Sequence, residues 1–99
     1  MTSVDGDNIV VAVHYVYIVR CADGSLYTGY ARDPSSREAV HNLGRGARYT
    51  AGRRPVRLVY SEAFASAGEA LTREHQVKRL SRVKKEALIA GDPVKLKHG

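Results

Sequence analysis

The sequence predicts one α/β domain in which a β-hairpin, a helix, a third strand and two further helices follow one another. Three observations carry this reading. Residues 14–29, HYVYIVRCADGSLYTG, are two β-rich runs around a turn segment. Asp33-Pro34 pairs an N-cap acceptor with proline at the first helical position. After the alternating run at residues 56–61, two serine caps, Ser66 and Ser81, open two more helices.

Each element has a local cause. The first strand is rich in Val, Ile and Tyr, which suit a pleated, half-buried surface. Its alternation puts Tyr15, Tyr17 and Val19 on one face and His14, Val16 and Ile18 on the other. Ala22-Asp23-Gly24-Ser25 supplies the turn, since glycine tolerates positive φ and aspartate can bond its own backbone. Tyr27 and Gly29 point the same way on the returning strand, so pairing the two faces would bring two phenols beside a bare stretch of backbone. A ligand could approach closely there. The helix that starts at Asp33 carries Arg37 and His41 on one face, four residues apart, and stops by Gly44. Residues 44–55, GRGARYTAGRRP, read as a loop, because three glycines and a proline oppose a regular element. VRLVYS, residues 56–61, reads as the third strand. The Ser66 helix should run to about Leu80, and the Ser81 helix should end at Gly91-Asp92-Pro93. Residues 1–13 form a tail in which residues 9–13 either extend the first strand or make a separate edge piece, and residues 91–99 form a basic tail.

Composition narrows the function. The 99 residues, 43% hydrophobic and 26% charged, suit one globular domain with a modest core. One cysteine, Cys21, excludes an intramolecular disulfide and a cysteine-rich zinc site. No apolar run would span a membrane or serve as a signal peptide, so a cytoplasmic protein is expected. The net charge of +6 is uneven: residues 1–43 carry 3 basic against 5 acidic residues, and residues 44–99 carry 13 against 5. So basic a second half favours a polyanionic partner, nucleic acid first, with a solvated basic face as the plain alternative. Within it Arg45, Arg48, Arg53 and Arg54 line the glycine-rich loop, where guanidinium forks and open N–H groups can meet phosphate oxygens.

Glu74 is the most informative single residue. On a helical wheel Ala67, Ala70, Leu71 and Val77 fall within about sixty degrees of it, so its carboxylate sits in the arc that should be buried. Such a charge needs a cation or hydrogen bonds. It is either one half of a structural pair with an arginine such as Arg37, or a metal ligand or acid–base group in a cleft.

Taken together these pieces resemble the GIY-YIG endonucleases. The triplets Tyr15-Val16-Tyr17 and Tyr27-Thr28-Gly29 resemble the two motifs that name the family, with Tyr15 in place of its glycine and Thr28 in place of its isoleucine. The order Tyr17, Tyr27, Arg37, Glu74 resembles its tyrosine pair, helix arginine and distal glutamate, and His41 falls where several members place a tyrosine or histidine. GRGARYT, RRPVRLVYSE and the closing VKRLSR with KEALI resemble the small stand-alone bacterial branch, related to the catalytic domain of a structure-specific repair endonuclease. The likeness covers residues 14–90.

The resemblance implies a three-stranded antiparallel sheet with helices packed on it. It also implies a single Mg²⁺ or Mn²⁺ held by Glu74, and hydrolysis of a phosphodiester by an in-line water. Tyr17 or Tyr27 would be the general base or orient the water, with Arg37 stabilising charge on the phosphoryl oxygens. A phenol is ionised in only about one molecule in a thousand at neutral pH, and a metal, Arg37 or His41 would each lower that cost. The expected partner is DNA, held by Arg45, Arg48, Arg53, Arg54 and Lys78, with branched or single-stranded forms preferred over a sequence code, in repair or processing. Two rival readings are a nucleic-acid-binding module of the same fold that does not cleave, and a domain whose basic half meets an acidic protein.

Overall fold

The computed structural model describes residues 13–91. The expected element order is present. Strand β1 (His14–Arg20) and strand β2 (Leu26–Ala31) form the hairpin, followed by helix α1 (Pro34–Asn42) and a single helical turn, α2 (Arg48–Ala51). Strand β3 (Arg57–Phe64), helix α3 (Ala67–Lys78) and helix α4 (Arg82–Ala90) complete the described chain. The strands make one antiparallel sheet in the order β2-β1-β3, so the first strand is the central one.

Turn and cap chemistry acts where the residues predict it. Gly24 takes φ 87°, and Asp23 Oδ1 accepts from the Ser25 amide at 3.0 Å and its hydroxyl at 2.6 Å. The caps Asp33, Ser66 and Ser81 accept from the amides of Ser36, Glu69 and Lys84. Two details differ from expectation. Residues 44–55 are not wholly loop, because the run between Gly46 and Gly52 closes the turn of α2. Strand β3 extends to Phe64 and bulges against β1, where Ile18 pairs with Tyr60 but Val19 with Leu58, leaving Val59 as the extra residue. Most of residues 9–13, and the tail after Gly91, lie outside the described residues.

Because β1 is central, both of its faces are buried. Val16 and Ile18 pack with Ala70 and Val77 of α3 and Leu88 of α4. Tyr17 and Val19 on the other face pack with Cys21, Ala31 and Val56. On that side α1 is stitched to the start of β3. Asn42 donates to the Val56 carbonyl at 2.9 Å and accepts its amide at 2.7 Å, while Glu38 accepts the Leu58 amide at 2.7 Å.

Helix α4 is tied to the end of β1 by charge. The Arg20 guanidinium donates two hydrogen bonds of 2.8 Å to the two oxygens of Glu86, and Arg82 adds an ion pair at 3.1 Å. The bonds from Arg20 hold the Glu86 carboxyl at about 2, against 4.5 for an ordinary glutamate. The folded form therefore binds fewer protons than the unfolded chain between these values, so stability present above pH 4.5 is lost as the pH falls toward 2. Comparing urea midpoints across this range, Glu86→Gln should be less stable than the parent near pH 7 and converge with it by pH 2. Parallel curves would assign the acid sensitivity elsewhere.

Candidate active site

A cleft of about 330 Å³ lies beside the outer strand β2. Tyr17, Tyr27 and Gly29 reach it from one face of the sheet and Tyr30 from the other. Helix α1 contributes Arg37 and His41, the segment before α2 contributes Gly46 and Ala47, and α3 contributes Leu71 and Glu74. The five residues expected to be catalytic, drawn from four elements, thus line one cavity.

At its floor a phenol and an imidazole meet out of water. Tyr17 is 2% exposed and His41 1%, and the tyrosine hydroxyl lies 2.7 Å from His41 Nε2. On the far side of the ring, Nδ1 lies 2.7 Å from the hydroxyl of Thr50, which is fully buried. The imidazole and the Tyr27 ring meet in a T-shaped contact at 5.3 Å between centroids, and Tyr27 in turn stacks on Tyr49 at 6.0 Å. Two glycines give these rings room. A Cβ on Gly29 would stand 2.5 Å from the Tyr17 hydroxyl, and one on Gly46 would fall onto the His41 imidazole. Tyr17 therefore fills the space where a side chain on Gly29 would stand, while Gly29 itself lines the cleft.

Burial governs the protonation of this pair. It pushes the Tyr17 phenol up to about 12, reinforced by Tyr27 and Glu74, while the nearby Arg37 guanidinium pulls the other way without offsetting it. Burial, then the charge of Arg37, pulls His41 below the usual 6.5, so the imidazole is neutral at pH 7. His41 consequently supplies no positive charge to ease ionisation of Tyr17; what it offers is a hydrogen-bonding nitrogen.

Glu74 occupies the rim. It is 19% exposed, between the fully buried Ala70 and Val77 and the half-exposed Leu71, whose side faces the cleft. The apolar arc read from the sequence is thus only partly covered. Among the described residues its ion-pair partner is Lys78, one turn on at 3.3 Å, rather than Arg37. No group of three or more His, Cys, Asp or Glu that could cage a metal occurs among the described residues, and Glu74 is the carboxylate that lines the cleft. That donor set suits a hard ion which keeps most of its waters, as Mg²⁺ does, and not one needing an all-protein cage.

The basic residues divide into two groups. Arg53 donates to the Tyr49 carbonyl at 2.8 Å, lies 3.9 Å over the Tyr49 ring and pairs with Asp23 at 3.2 Å. Arg54 donates to the carbonyls of Ala51 at 2.8 Å and Asn42 at 3.3 Å. These two hold the loop together. Arg45 and Arg48 are exposed, and Lys78, half exposed, shares its charge with Glu74. Thr50, Gly46 and Tyr49 were not singled out by the sequence. They lie in a stretch without hydrophobic period, and only the close approach of α2 to α1 gives them a role.

An antiparallel sheet flanked by helices thus carries at its edge a cleft that joins two tyrosines, a helix arginine and a distal glutamate. The chain belongs to the GIY-YIG family: the model of the GIY-YIG catalytic domain matches residues 13–87. Within that family it is similar to small UPF0213 proteins. One from Staphylococcus saprophyticus is 58% identical over 77 residues, covering 78% of this chain and 94% of the relative. One from Staphylococcus aureus is 57% identical over 76 residues, covering 77% and 93%. The solution NMR structure of a UPF0213 protein from Bacillus halodurans is 52% identical with a TM-score of 0.52, covering 83% of this chain and 89% of that one. A solution NMR structure of an E. faecalis protein is 43% identical with a TM-score of 0.54, covering 78% and 82%. No helix among the described residues is long and apolar enough to cross a membrane.

The seating of Tyr17 over Gly29 can be tested directly. Tyr17 is buried and bonded to His41, so making room for Gly29→Ala would strain that bond, and the change should overpack the site at a cost of about 1–3 kcal/mol. Thermal melting should then show Tm lower by at least ~4 °C. An unchanged Tm would mean that the ring is not held there.

Proposed function

We propose that this protein is a divalent-metal-dependent endonuclease that hydrolyses phosphodiester bonds in DNA, with branched or single-stranded DNA preferred over any particular sequence. The observation that carries the reading is the convergence on one cleft of a hydrogen-bonded Tyr17–His41 pair, an arginine and a carboxylate. Tyr17 takes the proton of the attacking water as it passes its own phenol proton along the hydrogen bond to neutral His41, so no free phenolate need exist beforehand. Arg37 offers its guanidinium to the phosphoryl oxygens as their charge builds. Tyr27 walls the other side of the imidazole and fixes its plane. Glu74 would hold Mg²⁺ or Mn²⁺, which when bound supplies positive charge to the phosphate and lowers the cost of expelling the alkoxide. Preference for form over sequence follows from size, since a domain this small has little surface for reading base edges.

A panel of labelled linear, flapped, branched and single-stranded substrates with Mg²⁺, Mn²⁺ or chelator tests the reading, using the parent and Glu74→Gln. The parent should cleave only with metal, and Glu74→Gln should lose about 10²-fold or more. DNA affinity should stay level or rise, because an anion has left a phosphate-binding cleft. Since the Glu74–Lys78 pair is a partly exposed pair of the i,i+4 kind, worth ~0.3–0.5 kcal/mol, Tm should move by no more than a few degrees. DNA binding without cleavage by the parent would leave a binding module. Cleavage unaffected by Glu74→Gln would remove this residue from the metal.

The exposed pair Arg45 and Arg48 is assigned to the DNA backbone, and Arg53 and Arg54 to the integrity of the loop. Replacing Arg45 and Arg48 together with alanine should weaken binding to all sequences alike. It should also make the slope of log K against log salt shallower by roughly 1.5, at about 0.7–0.9 per phosphate contact. An unchanged slope would refute the assignment.

A further inference from the structure

We infer that Thr50 is a positioning residue which fixes the tautomer of His41, so that the imidazole accepts a proton from Tyr17 and does not donate one. The inference rests on the proposed hydrolytic reading for its meaning but not for its geometry. Thr50 has one hydroxyl proton and two close partners: His41 Nδ1 at 2.7 Å and the Ala47 carbonyl at 2.9 Å. A carbonyl oxygen can only accept, so the hydroxyl donates to Ala47 and must accept from Nδ1. Nδ1 then carries the ring proton, and in a neutral imidazole this leaves Nε2 as a lone pair facing the Tyr17 hydroxyl at 2.7 Å. The chain of donors therefore runs in one direction, from Tyr17 through His41 and Thr50 to the backbone.

The opposite tautomer has one supporter, the Ala47 amide, at 3.4 Å from Nδ1. Accepting that long bond would place two oxygens, the Thr50 hydroxyl and the Ala47 carbonyl, 2.9 Å apart with no proton between them. The 2.7 Å bond between Thr50 and Nδ1 can form in either tautomer, so the balance lies between the 2.9 Å bond to the Ala47 carbonyl and the 3.4 Å bond from its amide, and the shorter one prevails. Tyr17, His41 and Thr50 are all buried, so solvent does not readily take over the role of the Thr50 hydroxyl at Nδ1. In catalytic terms, Tyr17 can accept a proton from water only if its own has somewhere to go, and Nε2 is that place. Atoms balance: the water O–H bond breaks as the phenol oxygen gains that proton, and the original phenol proton moves to Nε2, giving an imidazolium.

The test reads the ring nitrogens of His41 by long-range ¹H–¹⁵N correlation on the full chain, assigned with His41→Gln, beside single-turnover cleavage. The parent and Thr50→Ser should show the proton on Nδ1. Thr50→Val, of the same shape without the hydroxyl, should shift it toward Nε2, the Ala47 amide now being the partner left for Nδ1. Cleavage should fall by about 10²-fold or more in Thr50→Val and stay near the parental rate in Thr50→Ser. A parent protein with the proton on Nε2, or a Thr50→Val protein that keeps it on Nδ1, would overturn the inference whatever the cleavage rates. The expected tautomers in proteins that do not cleave would uphold the role of Thr50 and defeat the nuclease reading instead. Should Thr50→Val not fold, the tautomer of the parent decides alone.

Discussion

A phenol and an imidazole sharing one buried hydrogen bond, Tyr17 to His41, set the terms for much of this fold. Tyr17 stands on the central strand and His41 in the last turn of α1, so the bond fixes the height of the helix over the sheet. Asp33 and Pro34 matter because they start α1 where His41 will arrive above Tyr17. Gly29 and Gly46 matter because any side chain there would occupy the volume of one ring or the other. The arginine-rich segment, which looks like a solvent loop, is drawn inward because Thr50 answers the second nitrogen of the same imidazole.

The same bond shows how environment outweighs residue type. A tyrosine beside an arginine looks primed for ionisation, yet removal from water dominates and the phenol titrates near 12. What the cleft offers is a poised hydrogen bond in place of a standing phenolate. The second half of the chain teaches a similar lesson about charge. Of four arginines on one segment, Arg53 and Arg54 bond carbonyls or an aromatic ring of the protein, and Arg45, Arg48 and Arg54 are all exposed to solvent.

Local signals in the sequence were read well because their causes are local. The turn at Asp23-Gly24, the caps at Asp33, Ser66 and Ser81, and the alternation of Tyr17 with Val16 and Ile18 each depend on neighbours a few residues away. The register that sets Tyr17 opposite Gly29 followed from the short turn. Long-range facts were less legible. That Glu74 pairs with Lys78 and not Arg37 depends on where α3 lies over the sheet, and the one-turn helix α2 forms within a stretch whose glycines argued against it. Thr50 left no trace, because a lone threonine in a loop has no periodicity and gains its role from a residue nine positions earlier.

The strand order also has a consequence for how the chain comes into being. In a nascent chain that has emerged only as far as α1, any pairing of β1 with β2 would leave the other side of β1 a row of open amides and carbonyls. Those groups wait for β3, whose far end brings Phe64 beside His14. The hairpin and α1 also lack Thr50 at that stage, so the imidazole has no settled proton. The first half of the polypeptide is thus an unfinished sheet, and its sensitive moment falls between synthesis of His41 and arrival of the third strand. A pause in that interval would leave the side of β1 that β3 later covers exposed, and only the emergence of β3 covers it.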